Sequence, residues 1–292
     1  MSNVFYNANN LVINNGFVKN PNRYYLEEWF KQRPAIGTSS VPNLVSVLNT
    51  TFPDLDARTV NNNAIRLAEK LANRDFEILG TNMTPDLCIF NQIDPGIIIK
   101  TNTVIQDQGI IAPHLEPNQS SWTSTKWNLE KQLEWECAIR LPSITGIKIW
   151  GGLKQTFDQL LTENSTKLFF KFQSDSTNSE LFKDFTKLHF IHSISGVHYV
   201  SELPITIDID TVYNLRITID SNKLARIFVN GIQYNITRDI GSSPYGSTVT
   251  EGDIPSTELS GVNLIPYIGV QTETAASKTL NVYYQKMSRS LK

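Results

Sequence analysis

Along most of this chain apolar and polar residues alternate in short runs with a period of two. Leu133 to Leu141 is the clearest case, with Leu133, Trp135, Cys137, Ile139 and Leu141 at odd positions and Glu134, Glu136 and Arg140 between them. A period of two places alternate side chains on opposite faces of a strand, so this run predicts a strand with one buried and one wet face. Tyr213 to Asp220 repeats the pattern, with Leu215, Ile217 and Ile219 inward and Arg216, Thr218 and Asp220 outward. A turn at Ser221-Asn222-Lys223 leads into Ala225 to Val229, and Asn230-Gly231 leads into Ile232 to Tyr234. Asn-Gly accepts the positive φ of a type I′ hairpin, so the three runs predict a meander. Further strands are predicted at Gly146 to Trp150, Leu168 to Phe172, Leu188 to His192, Val197 to Ser201, Leu264 to Val270 and Leu280 to Gln285. Ile205, Ile207 and Ile209 against Thr206, Asp208 and Asp210 read as a half-exposed strand, Gly151-Gly152 as a strand end or bulge, and Ile240 to Gly261 as a long surface loop.

Before Phe76 the pattern changes. The first 22 residues hold eight asparagines around Phe5-Tyr6 and Leu11-Val12-Ile13, and Asn favours turns over long regular elements, so an irregular arm is predicted. Asn20-Pro21 opens Arg23 to Phe30, read as a short helix stopped at Arg33-Pro34. Leu55 to Asn73 carries Leu55, Val60, Ala64, Leu67, Ala68 and Leu71 at three- and four-residue spacing, which predicts an amphipathic helix capped by Asp54. The chain therefore divides into residues 1–75, an arm with helices for attachment or oligomerisation, and residues 76–292, an antiparallel sandwich.

Charged residues make up 18% of the sequence, against about a quarter in an average globular protein, and Asn, Ser and Thr fill the difference. The formal net charge is −2, which argues against a partner bound by counterion release from nucleic acid. No apolar run is long enough to cross a bilayer, and MSNVFYNANN lacks the layout of a signal peptide. Cys88 and Cys137, with no CxxC and no Cys/His cluster, read as two buried thiols rather than a disulfide or a zinc site.

Candidate chemistry is sparse. Glu134-Trp135-Glu136 comes nearest to the alternate carboxylates with which a glycosidase strand presents its nucleophile and acid/base, but Ala138 and Arg140 stand where further acids would be needed. His189 and His192 fall on opposite faces of a strand, whereas His192 and His198 can meet as a polar pair across the Ser193 to Gly196 hairpin. Asp208 and Asp210 share a face and make Ca²⁺ conceivable, without a specific motif for it. Trp122, Trp127 and Tyr245 are candidates for stacking on sugar rings or for core positions. No catalytic, cofactor or metal residues are assigned from the sequence, and any glycan contacts are left open.

The meander DTVYNLRITIDSNKLARIFVNGIQY at 210–234 resembles the hairpin of the concanavalin A-like and laminin-G-like superfamily, in which a strand ending in Asp turns into a strand ending in Asn-Gly. Together with RDFEILGTN at 74–82, IIAPHLEPNQSSW at 110–122, IKIWGGLKQT at 147–156 and LIPYIGVQTETAASKTLNVYYQKMSRSL at 264–291, it is similar in segment order to virion-associated proteins of marine tailed phages. The resemblance spans about Arg74 to Leu291. It implies a concanavalin-like jelly-roll sandwich and a non-enzymatic structural protein of the virion, a capsid accessory or decoration protein assembled in the host cytoplasm. Its partners would be the capsid shell, through the N-terminal segment, and further copies of itself. A carbohydrate-binding module of a tail fibre or adhesin is the alternative, and a glycoside hydrolase the remote one.

Overall fold

The structure is a computed structural model that describes residues 4–6, 11–14, 17–20, 22–30, 34–36, 73–82, 87–91, 94–113, 127, 131–154, 167–174, 182, 184–194, 197–221, 224–236, 254–255 and 264–291. These residues are mainly β. Three short strands, β1 (Val4–Tyr6), β2 (Leu11–Asn14) and β3 (Phe17–Lys19), pair in that order as a small antiparallel sheet. The apolar clusters of the predicted irregular arm are thus strands, because pairing takes up backbone groups that local Asn turns would otherwise satisfy.

The first large sheet contains nine strands. They are β4 (Arg23–Glu28), β7 (Cys88–Phe90), β8 (Ile97–Lys100), β10 (Glu134–Arg140), β15 (Val212–Ile219), β16 (Leu224–Val229), β17 (Ile232–Tyr234), β18 (Ile254–Pro255) and β20 (Thr279–Ser290). The main path runs β17-β16-β15-β10-β20-β8-β7, with β18 on β16 and β4 on β20. The second sheet runs β14-β13-β12-β11-β19-β9-β6-β5. Its strands are β5 (Pro34–Ile36), β6 (Asn73–Gly80), β9 (Gln108–Pro113), β11 (Ile147–Lys154), β12 (Lys167–Gln173), β13 (Lys187–Ile194), β14 (Val197–Thr206) and β19 (Ile265–Thr272). Within the two large sheets every pairing is antiparallel except β5 with β6.

The predicted helix at Arg23 to Phe30 is a strand. β4 pairs residue by residue with the second half of β20, from Gln285 opposite Glu28 to Ser290 opposite Arg23, and its Leu26 enters the core with Phe30 just beyond. A vacant sheet edge outweighs the weak local preference of Tyr24-Tyr25-Leu26, aromatic residues being at home in strands. The residues of the second predicted helix before Asn73 lie outside the described residues, and Asn73 itself starts β6. The predicted loop at Ile240 to Gly261 contributes the two-residue β18; the rest of it lies outside the described residues. The Asn230-Gly231 turn is as predicted, with φ of 51° and 80°. The two cysteines are buried free thiols.

The core between the sheets takes one face of each. Trp135, Cys137, Ile139, Leu215, Ile217 and Met287 from the first sheet meet Ile149, Leu153, Phe170, Phe172, Phe190 and Ile268 from the second. Phe170 and Phe190 meet edge to face, with centroids 5.3 Å apart. The outer faces differ. β15 and β16 alternate buried with exposed or half-buried residues, so the first sheet is wet outside. β12 and β19 are buried at every position, so both faces of the second sheet are dry. A second apolar cluster of Leu79, Ile110, Ala112, Trp150, Phe169, Ile265 and Tyr267 lies on that outer face.

Candidate functional site

Charged side chains are rarely buried unless paired or functional, yet the outer face of the eight-stranded sheet holds Lys154, Lys167, Lys171, His189 and Glu273, none more than 6% exposed. Strand register sets them in rows. One row crosses five strands as Glu202, His189, Lys171, Trp150 and Gly269. The next brings Val200, Ile191, Phe169, Gly152 and Tyr267 side by side, and in a further row Lys167 stands directly opposite Lys154.

Glycine decides how Trp150 lies. A Cβ on Gly269 would come within 2.4 Å of the indole Cζ2, so the ring rests flat on the neighbouring strand where any larger residue would push it up. Gly151 faces the core, where a Cβ would stand 3.2 Å from the Cη2 of Trp135. The pair predicted as a strand end or bulge is therefore mid-strand in β11: one glycine makes room for a core tryptophan, and Gly152 lets the backbones of β11 and β12 close up.

At the far end of the first row, Phe182 stacks on His189 at 3.9 Å with 10° between the planes, and the Lys171 ammonium lies 5.7 Å from the same ring. The His189 Nδ1–H donates to the Lys187 carbonyl at 3.0 Å, and Nε2 lies 3.8 Å from the Glu202 carboxylate. Burial lowers the His189 pKa from its ordinary 6.5 to about 4, against the opposing pull of Glu202. Lys187 binds Glu202 at 2.8 Å and Asp184 at 3.3 Å. Along the other margin Gln108 donates to Gln271, Gln271 donates to Glu273, and Lys148 pairs with Glu273 at 3.4 Å.

His189 gives a pH prediction with a definite sign. Its folded pKa lies below the unfolded one, so between pH 6.5 and 4 the unfolded chain binds the extra proton. This contribution to stability is whole above 6.5 and is lost as pH falls towards 4. Urea midpoints measured across that window should decline more steeply in the wild type than in His189→Phe; parallel declines would remove His189 from the effect.

The residues singled out by sequence fall elsewhere. Glu134 and Glu136 sit on the outer face of the other sheet, where Glu134 pairs with Arg216 at 2.6 Å and Glu136 with Lys286 at 3.1 Å while accepting from the Tyr284 hydroxyl at 2.5 Å. Burial first, then this carboxylate, pushes the Tyr284 pKa upward. His192 faces the core side, and its cross-strand neighbour is Tyr199, stacked at 4.8 Å; His198 pairs with Ser193 instead. The predicted pair of His192 with His198 fails because the hairpin register is offset by one residue.

Asp208 and Asp210 are exposed and lie beyond the end of β14, which stops at Thr206, with Asp210 at φ 57° in a turn. The half-exposed strand predicted there therefore ends early, pinned by the Tyr213 hydroxyl, which accepts from the Asp208 N–H and donates to the Thr206 carbonyl. Among the described residues no three His, Cys, Asp or Glu side chains group as a metal site. Trp127 is a core residue; Trp122 and Tyr245 lie outside the described residues.

Neither a protein-family profile nor a curated protein matches the chain. Solved structures do. An immunostimulatory antigen and pseudo β-1,3-glucanase of Mycobacterium tuberculosis aligns over 91% of this chain and 98% of its own, with a TM-score of 0.50 at 10% identity. The fold is the concanavalin-like sandwich. A family 7 alginate lyase (TM-score 0.47, 12% identity, 74% of this chain and 96% of that one) and the carbohydrate recognition domain of Emp46p (0.45, 8%, 73% and 87%) are also similar. At such identities the likeness concerns the fold alone, and it lends nothing to the virion role that the segment resemblance implies.

Proposed function

We propose that the protein is a lectin-like, non-enzymatic recognition module. What supports this is the concanavalin-like sandwich together with the wet outer face that β15 and β16 give its nine-stranded sheet, where polar side chains meet solvent. The non-enzymatic reading is supported by β12, whose outward positions are Lys167, Phe169, Lys171 and Gln173. Two carboxylates facing one sugar are what hydrolysis of this type needs, and Glu134 and Glu136 are committed to ion pairs on the opposite sheet. The segment resemblance supports placing this module on a phage particle, joined to the shell through its N-terminal residues.

A broad glycan array read with the full chain tests the reading. The protein should bind a restricted set of glycans. No binding across the array would sink it.

A further inference from the structure

We propose that the glycan bound by this module is electrically neutral and lies on the outer face of the nine-stranded sheet, across Trp29, Tyr284 and Asn214. The inference rests on the recognition reading above and names its site and ligand class. Tyr284 on β20 stands opposite Ala138 on β10, and Ala138 stands opposite Asn214 on β15. The Tyr284 hydroxyl lies 3.3 Å from the Asn214 Oδ1 and 2.5 Å from the Glu136 carboxylate, so the ring crosses β10 above the small side chain of Ala138. Trp29, one residue beyond β4, meets the same ring with centroids 4.8 Å apart and 36° between the planes. Both rings are half-buried and Asn214 is exposed, which gives solvent an aromatic surface with hydrogen-bonding groups around it. A pyranose offers an apolar face to such rings and hydroxyls to the groups beside them.

The neighbouring row sets Phe228, Arg216, Glu136 and Lys286 side by side on consecutive strands. Charges on this face come in opposite pairs: Glu134 with Arg216 at 2.6 Å, Glu136 with Lys286 at 3.1 Å and Asp220 with Arg226 at 2.9 Å. The six side chains are between 21% and 42% exposed, so they meet solvent as well as each other. A carboxylate offers about four lone-pair sites and a guanidinium about five N–H donors, so a paired group still has capacity for a hydroxyl. Each sugar hydroxyl both donates and accepts, which matches a row where acceptor and donor alternate. The pairing also cancels the charge of the face and leaves no long-range attraction for an acidic chain. Carboxylates or sulfates on such a chain would meet Glu134 and Glu136 beside the rings, and like charges brought together oppose binding.

The test uses the full chain in calorimetric titrations against a neutral β-glucan, a neutral mannan, a polyuronate and a sulfated galactan. A neutral polymer should bind, and its affinity should change less than about twofold between about 50 and 500 mM salt, since there is no net charge to screen. Tyr284→Ala should weaken that binding at least about tenfold. Should that variant fail to fold, Asn214→Ala, which alters an exposed side chain, should still lower the affinity about threefold or more. Tighter binding of an acidic polymer, weakening with salt, would overturn the neutral ligand and leave the recognition reading standing. Neutral binding unchanged in both variants would overturn the site. Silence from all four polymers would overturn this proposal, and the glycan array then decides the recognition reading separately.

Discussion

Deleting residues 1–30 is expected to bring the sandwich to the edge of unfolding. The cut removes β4, which covers β20 from Gln285 to Ser290, together with the Arg23 guanidinium that donates to the Ser288 hydroxyl and to the Gln132 carbonyl at 2.7 Å. It also removes Leu26 and Phe30 from the core. Burying such side chains contributes roughly 1.5–3 kcal/mol each, so the loss is about 3–6 kcal/mol before any hydrogen bond is counted, against a total of about 5–15 kcal/mol for a typical protein. Urea denaturation followed by circular dichroism should show a much lower midpoint, with soluble aggregates on size exclusion. A deletion of residues 1–22 keeps β4 and should melt like the full chain, which makes it the version to use for attachment. If the N-terminal segment joins the protein to particles, that shorter chain should stay folded and fail to incorporate. A full-length midpoint from the longer deletion would show β4 to be dispensable.

Gly152→Val should be nearly as damaging, for a different reason. A Cβ at this position would come within 2.0 Å of the Leu168 carbonyl oxygen and 2.9 Å of the Phe169 ring. The carbonyl belongs to the adjoining strand backbone, which cannot move aside without opening the ladder between β11 and β12. Overpacking of this kind costs about 3 kcal/mol, at the upper end of the usual range, and for a protein of this size that lowers Tm by roughly 6–12 °C. Those two strands also set Lys154 opposite Lys167 and Trp150 opposite Lys171, so loosening them should also let water reach that dry face. Differential scanning calorimetry reads the first effect, and wild-type melting of the variant would show that the strands can separate at little cost.

Much of the sandwich is legible in the sequence because a half-wet strand writes its burial as a period of two. β10, β15 and β16 are found this way within a residue or so of their ends. β11 and β14 prove longer than predicted, reaching Lys154 and Thr206: Gly151-Gly152, read as a strand end or bulge, lies mid-strand in β11, and β14 runs on through Glu202 to Thr206. β4 is missed because an edge position is a tertiary fact: nothing local says that Tyr24 to Glu28 will find Gln285 to Arg289.

The buried charges of the eight-stranded sheet leave a trace in the sequence. Lys148, Trp150, Gly152 and Lys154 alternate on one strand, and Lys167, Phe169, Lys171 and Gln173 alternate on the next. Two successive strands with basic residues at a period of two mark one cationic face once their register is known, and the register is the part that sequence alone withholds. Glu134-Trp135-Glu136 alternates just as cleanly, but its partners, Arg216 and Lys286, come from strands far along the chain.

The pairing of β4 with β20 also bears on how the protein is made. Arg23 and Ser288 stand 265 positions apart, and at about 5–20 residues per second a ribosome needs roughly 15 to 50 s to extend the chain over that distance. During that interval β4 has no edge to join and β10 lacks the neighbour that will lie on its other side. Contacts of such long range slow folding and leave unpaired edges open to association. The nascent chain should therefore depend on chaperones that shield strands until β20 has emerged, and slowing translation late in the message should reduce the soluble yield more than slowing it early.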